Sequence, residues 1–192
     1  MAKRNEFKPD KMGGSFLGKL YLTKNQRKTI LKWSLYALVL LILSLLQDVV
    51  LCKLDILGAT TDLVPVGITL VCLLEGAQRG CIFTAIASAL FVFSGGAPGM
   101  YSMVFLTFLV ILISIFRQAY LQKGFGTALL CVSVCLLLYE MANFAMGLFL
   151  GLTSGRYFAA SLVTAVLSMV SVPVLYPICL SIESIGGETW KE

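Results

Sequence analysis

Residues 127–150, TALLCVSVCLLLYEMANFAMGLFL, constrain this chain more than any other stretch. The run is long enough to cross a bilayer, whose hydrocarbon core asks for about 20 apolar residues of helix. It carries one carboxylate, Glu140, near its middle. A bilayer accepts such a group only against a partner or a wet cavity. The run therefore predicts a bundle that wraps this helix, and the function turns on what Glu140 faces.

The remaining sequence points the same way. Of 192 residues, 58% are hydrophobic and 13% charged, too little polar surface to cover a soluble domain of this size. The expected fold is all-α: a polytopic membrane helical bundle of about six transmembrane helices, with the N-terminus and C-terminus cytoplasmic. It divides into a basic tail (1–28), the transmembrane bundle (29–183) and a short tail (184–192). The net charge of +5 is uneven, since nine of the fifteen Lys and Arg lie in the first 32 residues. Placed ahead of a span, such a tail fixes orientation and touches membrane lipids rather than nucleic acid. Phe16, Leu17, Leu20 and Tyr21 share one face if helical, so the tail either lies on the inner leaflet or is disordered. It is too long for a signal-peptide n-region, and no small-residue cleavage site stands out, so the first span is expected to stay uncleaved.

The spans fall at 30–50, 62–74, 80–94, 100–116, 127–150 and 157–182. Lys32 is expected to snorkel to the inner surface, and Gln47 and Asp48 to mark the outer end. Thr61 or Asp62 can cap the second span, with Pro65 in its first turn. Glu75 and Arg79, four apart, read as an ion pair at the cytoplasmic edge. Spans two and three are short, and either cross separately or form a re-entrant hairpin. The hairpin would push Arg79 towards the bilayer centre at about 2.5–3.5 kcal/mol, which favours two crossings. Gly76, Gly80, Thr84 and Ser88, and again Gly147 and Gly151, recur every four positions, a spacing for close helix packing. Pro173 and Pro177 predict a kink in the last span, with Ser168 and Ser171 available to freed backbone groups. Arg79, Arg117, Lys123 and Lys191 then fall on the cytoplasmic side and only Lys53 and Arg156 outside, as the positive-inside rule asks.

No Walker loop, dinucleotide loop, zinc spacing or Ser-His-Asp set is present. There are six cysteines and no histidine. Cys131 and Cys135 stand one turn apart, but without histidine or a carboxylate cluster they read as small hydrophobes, and no metal or cofactor is expected. Asp48, Asp62 and Glu75 read as edge residues. Glu140 is then the one acid well inside a span, so catalysis by paired carboxylates lacks its second group. No catalytic residue is assigned and the chain is not expected to be an enzyme. Tyr139 adjoins Glu140, and Asn143 shares its face. This polar patch either binds a small ligand or carries a proton, contacts a partner membrane protein, or holds the bundle together.

The block from Asp62 to Tyr101 resembles the rod shape-determining protein MreD family. Thr61-Asp62-Leu63 matches that family's Pro-Asp-Leu entry to the second span, with the proline displaced to Pro65. Gly76 and Gly80 look like its spaced glycines, and Gly99-Met100-Tyr101-Ser102 like its Gly-x-Tyr-Ser entry to the fourth span. Val172-Pro173-Val174-Leu175-Tyr176 resembles its Pro-Leu-Tyr pattern, and Glu140 falls where some members carry a glutamate. One departure stands out: Phe93 and Ser94 occupy the place where many members have an aspartate. The resemblance implies a non-enzymatic integral membrane subunit of the cell-elongation complex in the bacterial cytoplasmic membrane. Such a subunit scaffolds peptidoglycan synthesis with MreC, MreB and the peptidoglycan synthases. The family fold is similar to the substrate-binding S components of energy-coupling-factor vitamin transporters, which supplies the alternative function. Their usual Ala-x-x-x-Ala face in span one is missing, because Ala37 is followed four residues on by Leu41.

Overall fold

A computed structural model describes residues 24–53, 59–122 and 124–185. The expectations for the N-terminal tail up to residue 23, including its Phe16 to Tyr21 face, and for the tail from residue 186 lie outside these residues, as does that for Lys123. Within them the chain is helical: α1 (Lys24–Val49), a 3-10 turn (Leu51–Lys53), α2 (Leu63–Glu75), α3 (Ala77–Phe93), α4 (Met100–Tyr120), α5 (Phe125–Phe149), a second 3-10 turn (Gly155–Tyr157), α6 (Phe158–Met169) and α7 (Val172–Ile185).

α1, α4 and α5 are each long and apolar enough to cross a membrane, and α6 with α7 makes a fourth such unit, bent by 46°. Their outer faces are apolar. α4 alone exposes Met100, Val104, Phe108, Leu112, Ile115 and Phe116. A surface like that is solvated by lipid, and the chain is a helical membrane protein. The bend falls where the prolines place it. α6 ends at Met169 and α7 restarts at Val172, one residue before Pro173, whose ring cannot follow the turn before it. The Ser171 hydroxyl donates to the Ser168 carbonyl at 2.6 Å, satisfying an acceptor that the break releases.

The bundle is not organised around the long run that carries Glu140. Its centre is α2, whose 13 residues are all buried except the last, Glu75. Each of the other six α-helices packs against it. The reason is compositional: from Leu63 to Leu74 the helix carries no charge on any side, and a helix apolar all round belongs in the middle. α5, by contrast, is amphipathic in the lipid sense. Val134, Leu138 and Leu148 face outward while Cys131, Cys135 and Tyr139 face α2's side of the bundle.

A central helix must have its exposed backbone ends satisfied by neighbours. At the N-terminus of α2 the Asp62 side chain makes no capping bond. The cap comes instead from α1. The Gln47 carbonyl accepts the backbone N–H groups of Leu63 and Val64 at 2.9 and 3.1 Å, so Gln47 is buried rather than a marker of the outer surface. Gln47→Ala should lower stability by about 1–2 kcal/mol, the size of a lost helix cap, read from thermal unfolding in detergent micelles. An unchanged midpoint would mean that water supplies the cap. At the C-terminus, Arg117 of α4 donates to the Leu73 carbonyl, and the Ser114 hydroxyl donates to the Cys72 carbonyl at 3.3 Å.

α2 and α3 reverse direction at one residue. Gly76 has φ +86°, a conformation that a side chain resists, and its N–H donates to the Cys72 carbonyl. This break corrects two expectations. Glu75 and Arg79 are not successive turns of one helix, and Glu75 pairs with Lys32 instead, at 2.6 Å. Lys32 does not snorkel; it is 7% exposed and holds Glu75, which also accepts from the Tyr36 hydroxyl at 2.9 Å. Gly76 marks the turn rather than a helix face. Gly80, Thr84 and Ser88 do share a buried face of α3. Gly147 is buried in α5, but Gly151 lies beyond that helix with φ +69°, so it makes a turn and not a packing step.

Candidate functional site

α2 is short, and that shapes the end of the bundle where it begins. Thirteen residues rise about 20 Å, against about 37 Å for the 25 residues of α5. Its first turn therefore stops below the rim set by the longer helices. Above it lies an open pocket of about 600 Å³. Its walls come from the connections that meet at this end: Thr60 and Asp62 before α2, Gly95 to Pro98 between α3 and α4, and Leu152, Thr153 and Tyr157 between α5 and α6. Tyr101, Glu140, Asn143, Phe144, Gly147, Ser161 and Thr164 are among those that line it from the helices.

Asp62 is at the floor. Because Gln47 caps α2, the Asp62 carboxyl is free for other work. One oxygen accepts from the Gln47 amide at 3.4 Å, and the backbone N–H of Asp62 donates to the Ser168 hydroxyl of α6 at 2.8 Å. The carboxyl also lies in hydrogen-bond contact with Glu140. Glu140 stands nine residues before the end of α5, about 13 Å along the helix from that end. The reading of Asp62 as an edge residue, and of Glu140 as an acid without a second deep carboxylate, is thus corrected. Two carboxyl groups in contact need a proton between them. The Gln47 donor on Asp62 favours Asp62 as the acceptor and Glu140 as the proton-bearing donor.

The patch predicted around Glu140 divides in two. Asn143 joins the pocket and accepts from the Ser102 hydroxyl of α4 at 2.8 Å, tying α4 to α5 beside the carboxyls. Tyr139 points into the bundle, fully buried. Its hydroxyl lies against Asn143 and Ser102 without closing a hydrogen bond of good geometry to either. Gly147 lines the pocket near its mouth, where an added Cβ would meet the Thr153 side chain at 3.0 Å.

The packing glycine Gly80 and the Glu75–Lys32 pair lie elsewhere. Glu75 ends α2 at the far end of the bundle, with Arg117 nearby on the same helix terminus. Among the described residues no group of three or more His, Cys, Asp or Glu is placed to hold a metal ion. Cys72, Cys81, Cys131, Cys135 and Cys179 are free thiols, and Cys135 packs against the Thr69 hydroxyl.

Sequence reasoning missed Asp62, Gln47 and Lys32. One signal was available. An apolar run only twelve residues long, in a bundle of longer spans, must begin and end inside the thickness of that bundle, so polar residues at its ends become interior residues.

Comparison of the chain with protein families, with curated proteins and with solved structures finds no match.

The geometry gives Glu140 a testable division of labour. Glu140→Gln keeps a donor for Asp62, whereas Glu140→Ala leaves that carboxyl without it. The alanine variant should lose about 1–3 kcal/mol of stability and the glutamine variant distinctly less, by thermal unfolding in micelles. Equal losses would show that charge, and not the hydrogen bond, is what the site needs.

Proposed function

We propose that this chain is a non-enzymatic integral membrane subunit of the rod-shape elongation machinery, of the MreD kind, that scaffolds peptidoglycan synthesis with MreC and MreB. One observation carries the reading. The residues that make the sequence resemble that family come from separate stretches, yet Asp62, Tyr101, Ser102 and Glu140 gather at one site. Asp62 pairs with Glu140, Ser102 holds Asn143 beside them, and Tyr101 lines the same pocket. A set of motif residues that converges in space is what a shared site requires. Ordinary apolar patterning would not select it.

In this reading the bundle crosses the bacterial cytoplasmic membrane six times, with α2 and α3 as short crossings and both termini inside. The positive-inside rule supports the orientation: Arg27, Lys28, Lys32, Arg79 and Arg117 collect at the Glu75 end, opposite the pocket. The pocket then opens outside the cell, where the extracytoplasmic part of a partner can reach it.

The test is association and shape. Full-length protein extracted from the cell membrane should carry MreC with it, and depletion should round the cells. Normal rods on depletion together with no recovered MreC would overturn the proposal. The pocket volume favours a second reading, a substrate-binding subunit of a vitamin transporter. Thermal stabilisation by one member of a vitamin panel would select it, and a flat response across the panel would remove it.

A further inference from the structure

We propose that the pocket above Asp62 is a binding site for a protonated amine, held between the Asp62–Glu140 carboxyl pair and an aromatic wall. This goes beyond the scaffold role and does not depend on it.

Three features of the lining point to that chemistry. The first is charge. Two carboxyl groups reach the pocket and, among the described residues, no Lys or Arg lines it. Arg156 sits on the 3-10 turn beside Tyr157, but only Tyr157 contributes to the wall. The carboxyl pair, with one proton between its members, keeps a negative charge that no described cationic side chain in the pocket balances. A charge at the floor of an open pocket attracts a cation that reaches it. The second is the aromatic content. Tyr101, Phe144 and Tyr157 all line the pocket. Aromatic faces are electron-rich, and they attract an ammonium or guanidinium placed within about 6 Å. The third is the hydrogen-bond inventory. Ser161 donates its hydroxyl proton to the Phe158 carbonyl of its own helix, so towards the pocket its oxygen can only accept. Asp62 retains acceptor capacity beyond its bond to Gln47. An ammonium brings three donors and no acceptor, and Asp62 and Ser161 can accept them.

The size excludes a bare ion as the natural occupant. About 600 Å³ is far more than one cation fills, and two carboxyls fall short of the six to eight oxygens that a hard divalent ion collects. The volume suits a small organic molecule that places its amine on the acids and its body along the aromatic side chains. The amine can come from a free small molecule or from a lysine side chain offered by a protein. The chemistry is shared, and the test separates the sources.

The experiment is calorimetric titration of the full chain in detergent micelles. The probes are cadaverine, the uncharged diol of the same length, and the amidated peptide Gly-Lys-Gly with Gly-Met-Gly as its neutral control. Cadaverine should bind saturably and at least tenfold more tightly than the diol, a difference of about 1.4 kcal/mol. Asp62→Asn, close in shape to the native residue, should weaken cadaverine by about tenfold while eluting as the native protein does, whereas Glu140→Gln, which keeps both the donor to Asp62 and the negative charge, should weaken it distinctly less. Tighter binding of the lysine peptide than of cadaverine assigns the amine to a protein side chain, and the reverse order assigns it to a free molecule. Equal affinity for cadaverine and the diol, or no binding of any amine, overturns the proposal. So does a folded Asp62→Asn variant that binds cadaverine as the native chain does. If a variant fails to fold, the comparison of amine with diol on the native chain still decides. Failure of the scaffold reading shows up as absence of MreC from cell extracts and leaves this titration untouched.

Discussion

Lys32→Met should cost about 3–5 kcal/mol of stability, the largest loss expected from one side chain in this protein. The substitution leaves the Glu75 side chain inside the bundle without its cation, and among the described residues the Tyr36 hydroxyl is the donor that remains. Both partners are buried, with side-chain exposures of 9% for Lys32 and 4% for Glu75. Water therefore cannot replace the lost ammonium. The pair itself contributes little, since its Coulomb attraction is offset by the desolvation of two charges. The double variant Lys32→Met, Glu75→Leu should accordingly recover most of the loss. Unfolding midpoints of the two single variants and the double variant, measured in micelles, check this. Losses that simply add would mean that Glu75 finds another cation when Lys32 is gone.

Gly80→Val should cost about 1–3 kcal/mol and loosen the α2–α3 hairpin. An added Cβ at Gly80 would sit 2.8 Å from the Cys72 Cα. That neighbour is backbone of the central helix and cannot turn aside as a side chain could. Gly76 bears a different strain: a Cβ there meets the Gln118 amide, which can move, but φ of +86° disfavours any side chain. The two glycines should therefore respond differently to an added side chain. At Gly80 the hairpin must open, and Cys72, now buried, should become reactive to a thiol reagent in native membranes. At Gly76 stability should fall without exposing Cys72. Unchanged thiol protection in Gly80→Val would show that the helices do not approach as closely as this.

Much of the fold is legible in the sequence, for a physical reason. Long apolar runs such as 127–150 can be satisfied only by lipid and by other helices, so helical membrane architecture follows from length and composition alone. The bend at 170–171 follows from Pro173 in the same way. What the sequence conceals is which helix lies at the centre. The run with Glu140 is longer and holds a buried-looking acid, yet its apolar faces point at lipid as well as at protein. α2 is shorter, and its uniform apolarity is the better sign of a central place. The site was concealed for the same reason. Asp62 and Glu75 flank an apolar run, and flanking acids ordinarily mark the membrane surface. Here the run is too short to reach either rim, so one acid meets Lys32 and the other meets Glu140. Chain order gives no hint that Gln47, sixteen residues before Leu63, supplies the cap that frees Asp62.

The placement of Asp62 against Glu140 underlies the site, the proposed function and the amine pocket alike. A double-mutant cycle on unfolding free energy tests it most directly, using Asp62→Ala, Glu140→Ala and the pair combined in detergent micelles. Side chains in contact couple by about 0.5–3 kcal/mol, so the double variant should lose less than the sum of the single losses by an amount in that range. Single losses that add to within about 0.3–0.5 kcal/mol would mean that the two carboxyls do not meet, and would contradict the account.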